Sequence, residues 1–213
     1  MGSPGAGKGT LAANLRTLNA EHVSSGDLFR REMKRNTPVG IAIRKTMKRG
    51  ELVPDHLTLG LMRKWFWGRK SARGFILDGF PRTRIQAVCF DEWMETRGEV
   101  LTACVLLELS ESETVKRLSQ RRICPKDGTV YHLAHNPPRC EGRCDSCGST
   151  LVQREDDIEE VIRRRYAIYE RLTRPLADHY ANLGLLSVFS AEIPQEELTA
   201  RIFETFNLAP VPR

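Results

Sequence analysis

The pattern of apolar and polar positions divides the chain into short runs typical of strands and longer stretches with helical periodicity. The short runs predict strands at 21–24, 74–78, 103–108 and 185–189. Helices are predicted at 10–18, 27–49 with a break near Thr37-Pro38, 55–69, 85–97 and 158–182, and in a last helix with the apolar stripe Leu198, Ile202 and Phe206. Strands that alternate with helices indicate a parallel sheet covered by helices on both faces.

One segment breaks this pattern. From Ile123 to Asp157, Gly, Pro, Cys and Asn are frequent and the helical periodicity disappears. A structureless stretch of this length is uncommon inside a compact domain. We therefore expect either disorder or a small subdomain with its own cross-link, and the cysteines favour the subdomain. Before this segment, Ser110 with Glu113 three positions later predicts a capping box at the start of a helix.

Composition and charge narrow the functional classes. The 213 residues are 40% hydrophobic, which permits one substantial core with small inserted modules. No apolar run is long enough to cross a bilayer, so we expect a cytoplasmic protein without a membrane partner. The net charge of +6 fits either a nucleic-acid binder or a pocket for small polyanions. Many arginines stand singly beside Gly, Asp and Pro, which favours the pocket.

Four of the six cysteines lie close together, at positions 124, 140, 144 and 147. In a cytoplasmic chain of this size, such clustering indicates a metal site rather than disulfides. Cys89 and Cys104 lie in apolar surroundings, and we expect them to be buried, inert thiols.

A glycine-rich loop at 2–10, with the sequence GSPGAGKGT, carries the clearest chemistry. Glycines allow successive backbone N–H groups to turn toward one anion, and the dipole of a following helix adds to the attraction. Lys8 is placed to reach the outer phosphates of a nucleotide. The strict P-loop pattern has Ser or Thr directly after the lysine, whereas Gly9 precedes Thr10 in this chain.

This loop resembles that of the adenylate kinase family, and the resemblance continues along nearly the whole chain in the family's order. It is carried by the segments SSGDLFR at 24–30, GELVPD at 50–55, DGFPR at 78–82 and REDD at 154–157. The resemblance implies an α/β fold with a P-loop NTPase-type parallel sheet flanked by helices, in a single P-loop kinase domain over 1–213. It also implies two insertions that close over the substrates, an NMP-binding segment at 24–53 and a LID subdomain with a zinc-ribbon-like staple at 121–157.

The resemblance further implies the functional residues. At the ATP site they are Gly5, Ala6, Gly7, Lys8, Gly9, Thr10, Arg117 and Arg121. Arg117 resembles the residue that stacks over the adenine in the family. At the AMP site they are Ser25, Arg30, Glu51, Leu52, Val53, Gly79, Arg82, Gln86, Arg154 and Arg165. The implied catalytic residues are Lys8, Arg82, Arg121, Arg154 and Arg165. Cations suit this reaction because phosphoryl transfer needs positioning and charge neutralisation more than a strong base.

Two metal ions are implied as well. Asp78 ends an apolar strand, where an acid would hold Mg²⁺ of the ATP complex largely through water, although a helix N-cap is the alternative. The long lid of bacterial-type members has four ligands at the first and last positions of two turns, which correspond here to Cys124, Asp127, Cys144 and Cys147. A Cys₃Asp set suits a structural Zn²⁺. Cys140 or His132 as the fourth ligand stays open, and so does a lid without metal.

The sequence departs from the family pattern at several positions. The family has an apolar strand directly before its glycine-rich loop, whereas this chain starts at Met1-Gly2, so we expect that first strand to be missing from the sheet. Ser25 stands where threonine is more common, and Leu11 stands where glutamine is usual. Both substitutions are mild.

The function expected from the resemblance is that of an adenylate kinase. A monomer would transfer a phosphoryl group reversibly between ATP and AMP, giving two ADP, and would bind no nucleic acid. One alternative is a kinase for another nucleoside monophosphate. Alternatives from another class are a zinc-ribbon adaptor for nucleic acid and a truncated, non-catalytic protein that binds nucleotide and zinc.

Overall fold

The structure is a computed structural model that describes residues 1–18, 20–69 and 74–208. Its helices are α1 Lys8–Asn14, α2 Ser25–Lys34, α3 Pro38–Lys48, α4 Asp55–Gly68, α5 Arg84–Thr96, α6 Glu111–Ser119, α7 Glu159–Ile168, α8 Leu176–Asn182 and α9 Gln195–Thr205. Its strands are β1 Glu21–Ser24, β2 Phe75–Asp78, β3 Cys104–Glu108, β4 Arg121–Ile123, β5 Val130–His132 and β6 Leu186–Ser190. Leu15–Leu18 and Glu155–Asp157 are 3₁₀ turns, and Tyr169–Thr173 is π-helical. None of the described helices is long and apolar enough to span a membrane.

The strands form parallel pairs flanked by helices, which confirms the predicted α/β class. β1 pairs with β2, and β3 pairs with β6, both in parallel register. Gly2 adds an isolated parallel bridge to Leu107 of β3. Within the described ranges no strand lies between β2 and β3, so the predicted sheet is divided into two pairs. The antiparallel hairpin of β4 and β5 belongs to the segment that lacked helical periodicity.

A cavity of about 820 Å³ lies between the two parallel pairs. Its apolar lining comes from β2, β3 and α1, and includes Ile76, Leu77, Val105, Leu107 and Leu11. Direct packing between the two pairs is therefore reduced along the cavity, although Ala87 of α5 belongs to one buried cluster with Cys104 of β3.

Each half has its own apolar core. Leu11, Leu107 and Ile202 belong to a cluster that joins α1, β3 and α9. Phe66 and Phe90 belong to a second cluster that joins α4 and α5 to β1 and β2. A smaller cluster holds α2 and α3 against the segment before α4, with Phe29, Ile43 and Val53 at its centre.

Most predicted element boundaries agree with the structure to within about two residues, and two predictions were too simple. The helix predicted at 158–182 is interrupted by the π-helical stretch and by Pro175, which has no N–H to donate. The capping box is only half formed. Ser110 Oγ accepts the N–H of Glu113 at 3.4 Å, but the N–H of Ser110 donates to Glu192 at 3.1 Å instead of Glu113.

Candidate active site

The glycine-rich loop folds around the lysine side chain. Gly5 and Gly7 have φ angles of +78° and +81°, in the left-handed region that glycine enters without strain. Gly7 is the N-cap of α1, so the loop ends at a helix N-terminus. Lys8 Nζ donates to the carbonyl oxygens of Gly2 at 2.9 Å and Ser3 at 2.7 Å. A curved backbone with a lysine at a helix N-terminus suits phosphate oxygens.

Charges from three other segments act on Lys8. Burial is the main cause that lowers the pKa of Lys8 to about 8, and the charges of Arg82, Arg165 and Arg121 contribute to this decrease against the opposing effect of Asp78. Arginines that are distant in the sequence therefore converge on the lysine of the loop. Phosphate oxygens placed among these cations would neutralise part of this repulsion.

The adjacent carboxylates of Asp156 and Asp157 form ion pairs with three arginines. Asp157, whose side chain is fully buried, accepts hydrogen bonds from Arg121 at 2.8 and 2.6 Å and from Arg165 at 3.2 Å. Asp156 accepts two from Arg154, at 2.8 and 2.6 Å, and lies 3.1 Å from Arg165. Burial raises the pKa of Asp156, but the charges of Arg165 and Arg154 outweigh burial and hold the pKa at about 2. No role was predicted for these two aspartates from the sequence, although both follow Arg154 within three positions.

A second group of cations lies on the side of α2. Burial lowers the pKa of Arg30, and the charge of Arg154 adds to this effect against the paired Asp27. Burial likewise lowers the pKa of Arg82, with contributions from Arg30 and Arg154 that Asp78 opposes. Arg30, Arg82 and Arg154 are therefore close enough to repel one another, as expected of groups that share one anion.

The residues after β2 form a tight turn at 79–83, which we call the proline loop. Gly79 has a φ of +74°, and a Cβ at this position would lie 2.7 Å from Arg82 Nη2 and 2.9 Å from Ser25 Oγ. Both side chains donate to the carbonyl of Gly79, Ser25 at 2.6 Å and Arg82 at 2.8 Å. The structure thus brings together Ser25, Gly79 and Arg82, which sequence reasoning assigned to one site.

The backbone at 51–53 lies beside the arginine cluster. A Cβ on Gly50, whose φ is +72°, would lie 2.7 Å from Arg165 Cγ. Val53 is buried, whereas Glu51 and Leu52 are half-buried. Gln86 is fully buried at the start of α5, close to the proline loop. Asp55 binds the amide of Gln86 at 2.7 Å, a contact that no sequence pattern indicated.

Arg117 lies on α6, which packs against the glycine-rich loop. A Cβ on Gly5 would lie 3.2 Å from Cγ of Leu118, the next residue after Arg117. Glu113, one turn earlier on the helix, accepts a hydrogen bond from Arg117 Nε at 3.0 Å. The predicted adenine-stacking residue is therefore next to the loop but paired with a carboxylate.

The segment at 121–157, called the lid below, contains the predicted metal ligands. One ligand atom each from Cys124, Asp127, Cys144 and Cys147 lies within 4.8 Å of the others. Cys124 Sγ is 3.4 Å from Cys147 Sγ, and Cys144 Sγ is 3.3 Å from Asp127 Oδ2. Three thiols and one carboxylate at these separations match the donor set and compactness of a tetrahedral zinc site.

The two other candidates for the fourth ligand are not part of this group in the described chain. Cys140 is exposed and outside the cluster. His132 uses Nδ1 to accept the N–H groups of Ala134 and His135, both at 3.2 Å. Of the three candidates, Asp127 is the one that lies with the cysteines 124, 144 and 147 in the described structure.

Asp78 is placed for a role near the phosphates. A Cβ on Gly9 would lie 3.8 Å from Asp78 Oδ2. The carboxylate therefore faces the first turn of α1, where Thr10 also lies. An acid opposite the loop lysine and helix start fits a Mg²⁺ ion that keeps most of its water ligands. The predicted alternative, a helix N-cap, is wrong, because Thr83 caps α5.

Comparisons with known proteins agree with this geometry. The sequence model of the adenylate kinase family matches residues 1–185. The adenylate kinase of Streptomyces avermitilis is 43% identical over 209 residues, which cover 97% of this chain and 95% of that protein. The adenylate kinase of Moorella thermoacetica is 43% identical over 187 residues, covering 87% and 86% of the two chains. That of Thermosipho africanus is 46% identical over 181 residues, covering 84% and 85%.

The family match extends from the glycine-rich loop through the lid to α8 and includes every predicted site residue. The glycine-rich loop, the converging arginines and the similarity over most of the chain lead to one conclusion: the chain belongs to the adenylate kinase family.

Proposed function

We propose that the chain transfers the terminal phosphoryl group of ATP to AMP between the glycine-rich loop and the proline loop. The observation that carries this proposal is the arginine cluster that Asp156 and Asp157 hold together, formed by Arg121, Arg154 and Arg165. The charges of Arg121 and Arg165 also act on Lys8. Adenylate kinase activity is established by family, and the individual residue roles are the proposal.

On the ATP side, the backbone from Gly5 to Thr10 would cradle the phosphates. Lys8 would release the carbonyls of Gly2 and Ser3 and turn to the outer phosphates. Arg117 would stack over the adenine once it leaves Glu113, which is a surface-accessible partner on the same helix. Arg121 would reach the transferred group.

On the AMP side, Arg30, Arg82 and Arg154 would hold the phosphate. Their mutual electrostatic effects support a shared anion. The base would lie against Ser25, Gly79, Gln86 and the backbone of 51–53. Arg165 would bridge the two sides, because it lies beside Gly50 and also interacts with Lys8.

The reaction needs no strong base among these residues. An oxygen of the AMP phosphate attacks the γ-phosphorus of ATP, and the bond from that phosphorus to the β-bridging oxygen breaks. Lys8 and the arginines compensate the charge on the transferred group, which is the main requirement of phosphoryl transfer. Asp156 and Asp157 keep the arginines oriented before substrate arrives.

Two metal ions complete the proposal. Asp78 would hold Mg²⁺ through water, and the ion would neutralise phosphate charge. Cys124, Asp127, Cys144 and Cys147 would hold a structural Zn²⁺, which has no open position for substrate when all four ligands are protein groups.

We also propose two moving segments, the NMP-binding segment at 24–53 and the LID at 121–157, within one domain over 1–213. Closure would exclude water from the transferred group. We further propose a monomer, as the resemblance to the family implies. Free thiols suit a reducing compartment such as the cytoplasm.

The test is ADP formation from ATP with AMP, CMP, UMP or GMP as the acceptor. We expect AMP to be the preferred acceptor and Lys8→Met to lower kcat by about 10²–10³-fold. Lys64→Met, at an exposed position of α4, is the matched control and should retain full activity. A different preferred acceptor would favour another nucleoside monophosphate kinase. Salt-sensitive binding to a polynucleotide that survives Lys8→Met would favour the nucleic-acid adaptor.

A further inference from the structure

The amide of Gln86 is fixed from both ends. Its Oε1 accepts the backbone N–H of Arg82 at 2.8 Å, and its Nε2 donates to Asp55 Oδ1 at 2.7 Å. Only 2% of the residue is exposed, so water does not replace these partners readily. A long-range carboxylate and a backbone group of the proline loop therefore hold one buried amide.

These two partners define which way the amide points. A backbone N–H can only donate, and an ionised carboxylate can only accept. A flipped Gln86 would place its NH₂ against the N–H of Arg82 and its oxygen against Asp55, and both contacts would be repulsive. The oxygen and nitrogen ends of the amide, which are otherwise easily exchanged, are distinct at this position because of Asp55.

Asp55 is itself held in place. It is the first residue of α4, and its Oδ1 also accepts the hydroxyl of Thr83 at 3.0 Å. Thr83 caps α5 by accepting the N–H of Gln86 at 3.3 Å. The carboxylate therefore connects the start of α4 to the start of α5.

We propose that Asp55 is a positioning residue that selects adenine by locking the direction of the Gln86 amide. The inference rests on the proposed placement of Gln86 at the AMP base. After its contacts with Arg82 and Asp55, the amide keeps one oxygen lone pair and one N–H for a base. Adenine offers an amino donor beside a ring-nitrogen acceptor, which complements that pair.

Hypoxanthine and guanine offer the opposite order, a carbonyl acceptor beside a ring N–H donor. They would match a flipped amide and meet like groups on the locked one. Asp55 therefore discriminates through Gln86 without touching the base. Its removal frees the amide to flip toward a 6-oxopurine, opposed only by the N–H of Arg82.

The experiment measures kcat/KM for AMP and IMP, and KM for ATP, in Asp55→Leu, Asp55→Asn and the unaltered chain. We expect Asp55→Leu to lower kcat/KM for AMP about tenfold. The ratio of IMP to AMP efficiency should rise at least several-fold, with KM for ATP unchanged. Asp55→Asn keeps a neutral acceptor, so its ratio of IMP to AMP efficiency should lie between those of the unaltered chain and Asp55→Leu. This variant provides the test if Asp55→Leu does not fold. Asp91→Leu removes a carboxylate on α5 that pairs with His179, away from the loop, and should change nothing.

The outcomes separate this inference from the proposed function. Equal losses with AMP and IMP in both Asp55 variants would show a purely structural role and overturn the inference. If Gln86→Leu alters neither the AMP KM nor the ratio, the placement of Gln86 at the base is wrong. A higher AMP KM in Gln86→Leu, together with an unchanged ratio in the Asp55 variants, would overturn the inference alone.

Discussion

Different interactions stabilise the proline loop at 79–83 and the lid at 121–157. Side chains from four separate elements bind the proline loop, namely Ser25 on α2, Asp55 on α4, Gln86 on α5 and Thr173 in the π-helical stretch. The apolar cluster around Phe66 and Phe90 lies behind it. The lid has a small cluster of its own, consisting of Cys124, Tyr131, Cys144 and Leu151, with Cys147 packed against it.

This difference indicates which interactions stabilise each region. A loop on a large core is held by many weak contacts, and each one contributes little. A module with few buried apolar side chains needs a stronger cross-link, and metal binding to thiolates supplies free energy that also folds the module. We therefore expect the lid to depend on few groups and the proline loop to tolerate single losses.

The largest expected effect is at Asp157, where the lid joins the body of the protein. Its buried carboxylate binds Arg121 at the start of the lid and Arg165 on α7. Asp157→Ala leaves Arg121 without its carboxylate and leaves Arg165 with Asp156 alone, so we expect a loss of about 3 kcal/mol in unfolding free energy. Urea denaturation measures this loss. Glu155→Ala is the control, because Glu155 is exposed and pairs with the exposed Lys48 at 3.5 Å, so its loss should cost less than about 0.5 kcal/mol. Similar losses in both variants would refute the anchoring role.

The next effect is loss of the lid metal. We expect the purified protein to contain one zinc ion per chain, and Cys144→Ala to abolish it and lower Tm by about 5 °C or more. Removal of zinc from the unaltered protein with a chelator should lower Tm equally and open the lid to proteolysis. Cys140→Ala, at the exposed cysteine outside the cluster, should keep both the zinc and the Tm. A zinc-free protein with the same Tm would show that polar contacts alone hold the lid.

The two regions also differ in how much the sequence reveals. A metal site in the lid was predicted because its cysteines cluster in the sequence, and the four ligand positions were implied by the family resemblance. The structure brings the same four side chains together. The four parallel strands and the glycine-rich loop were predicted because their signals are local, whereas the short hairpin strands β4 and β5 were not predicted. The contacts of Asp55 and Thr173 with the proline loop join residues far apart in the chain, so no local pattern carries them. The π-helical stretch depends on packing and was likewise not predictable from periodicity. The gap between β2 and β3, in contrast, was expected, because no apolar strand precedes the glycine-rich loop in this chain.

The smallest effect is expected at Thr173, which tests the tolerance of the proline loop. Thr173 Oγ1 donates to the carbonyl of Arg82 at 2.9 Å, and the π-helical stretch, a feature often found at functional sites, places it there. Thr173→Val keeps the shape and removes this hydrogen bond, so we expect a loss of about 1 kcal/mol in stability. KM for AMP should rise about fivefold, and KM for ATP should not change. Thr205→Val, which removes an exposed hydroxyl contact within α9, is the control. If Thr173→Val lowers the unfolding free energy as much as Asp157→Ala does, the stability of the proline loop depends on this single contact. The contrast between the proline loop and the lid is then wrong.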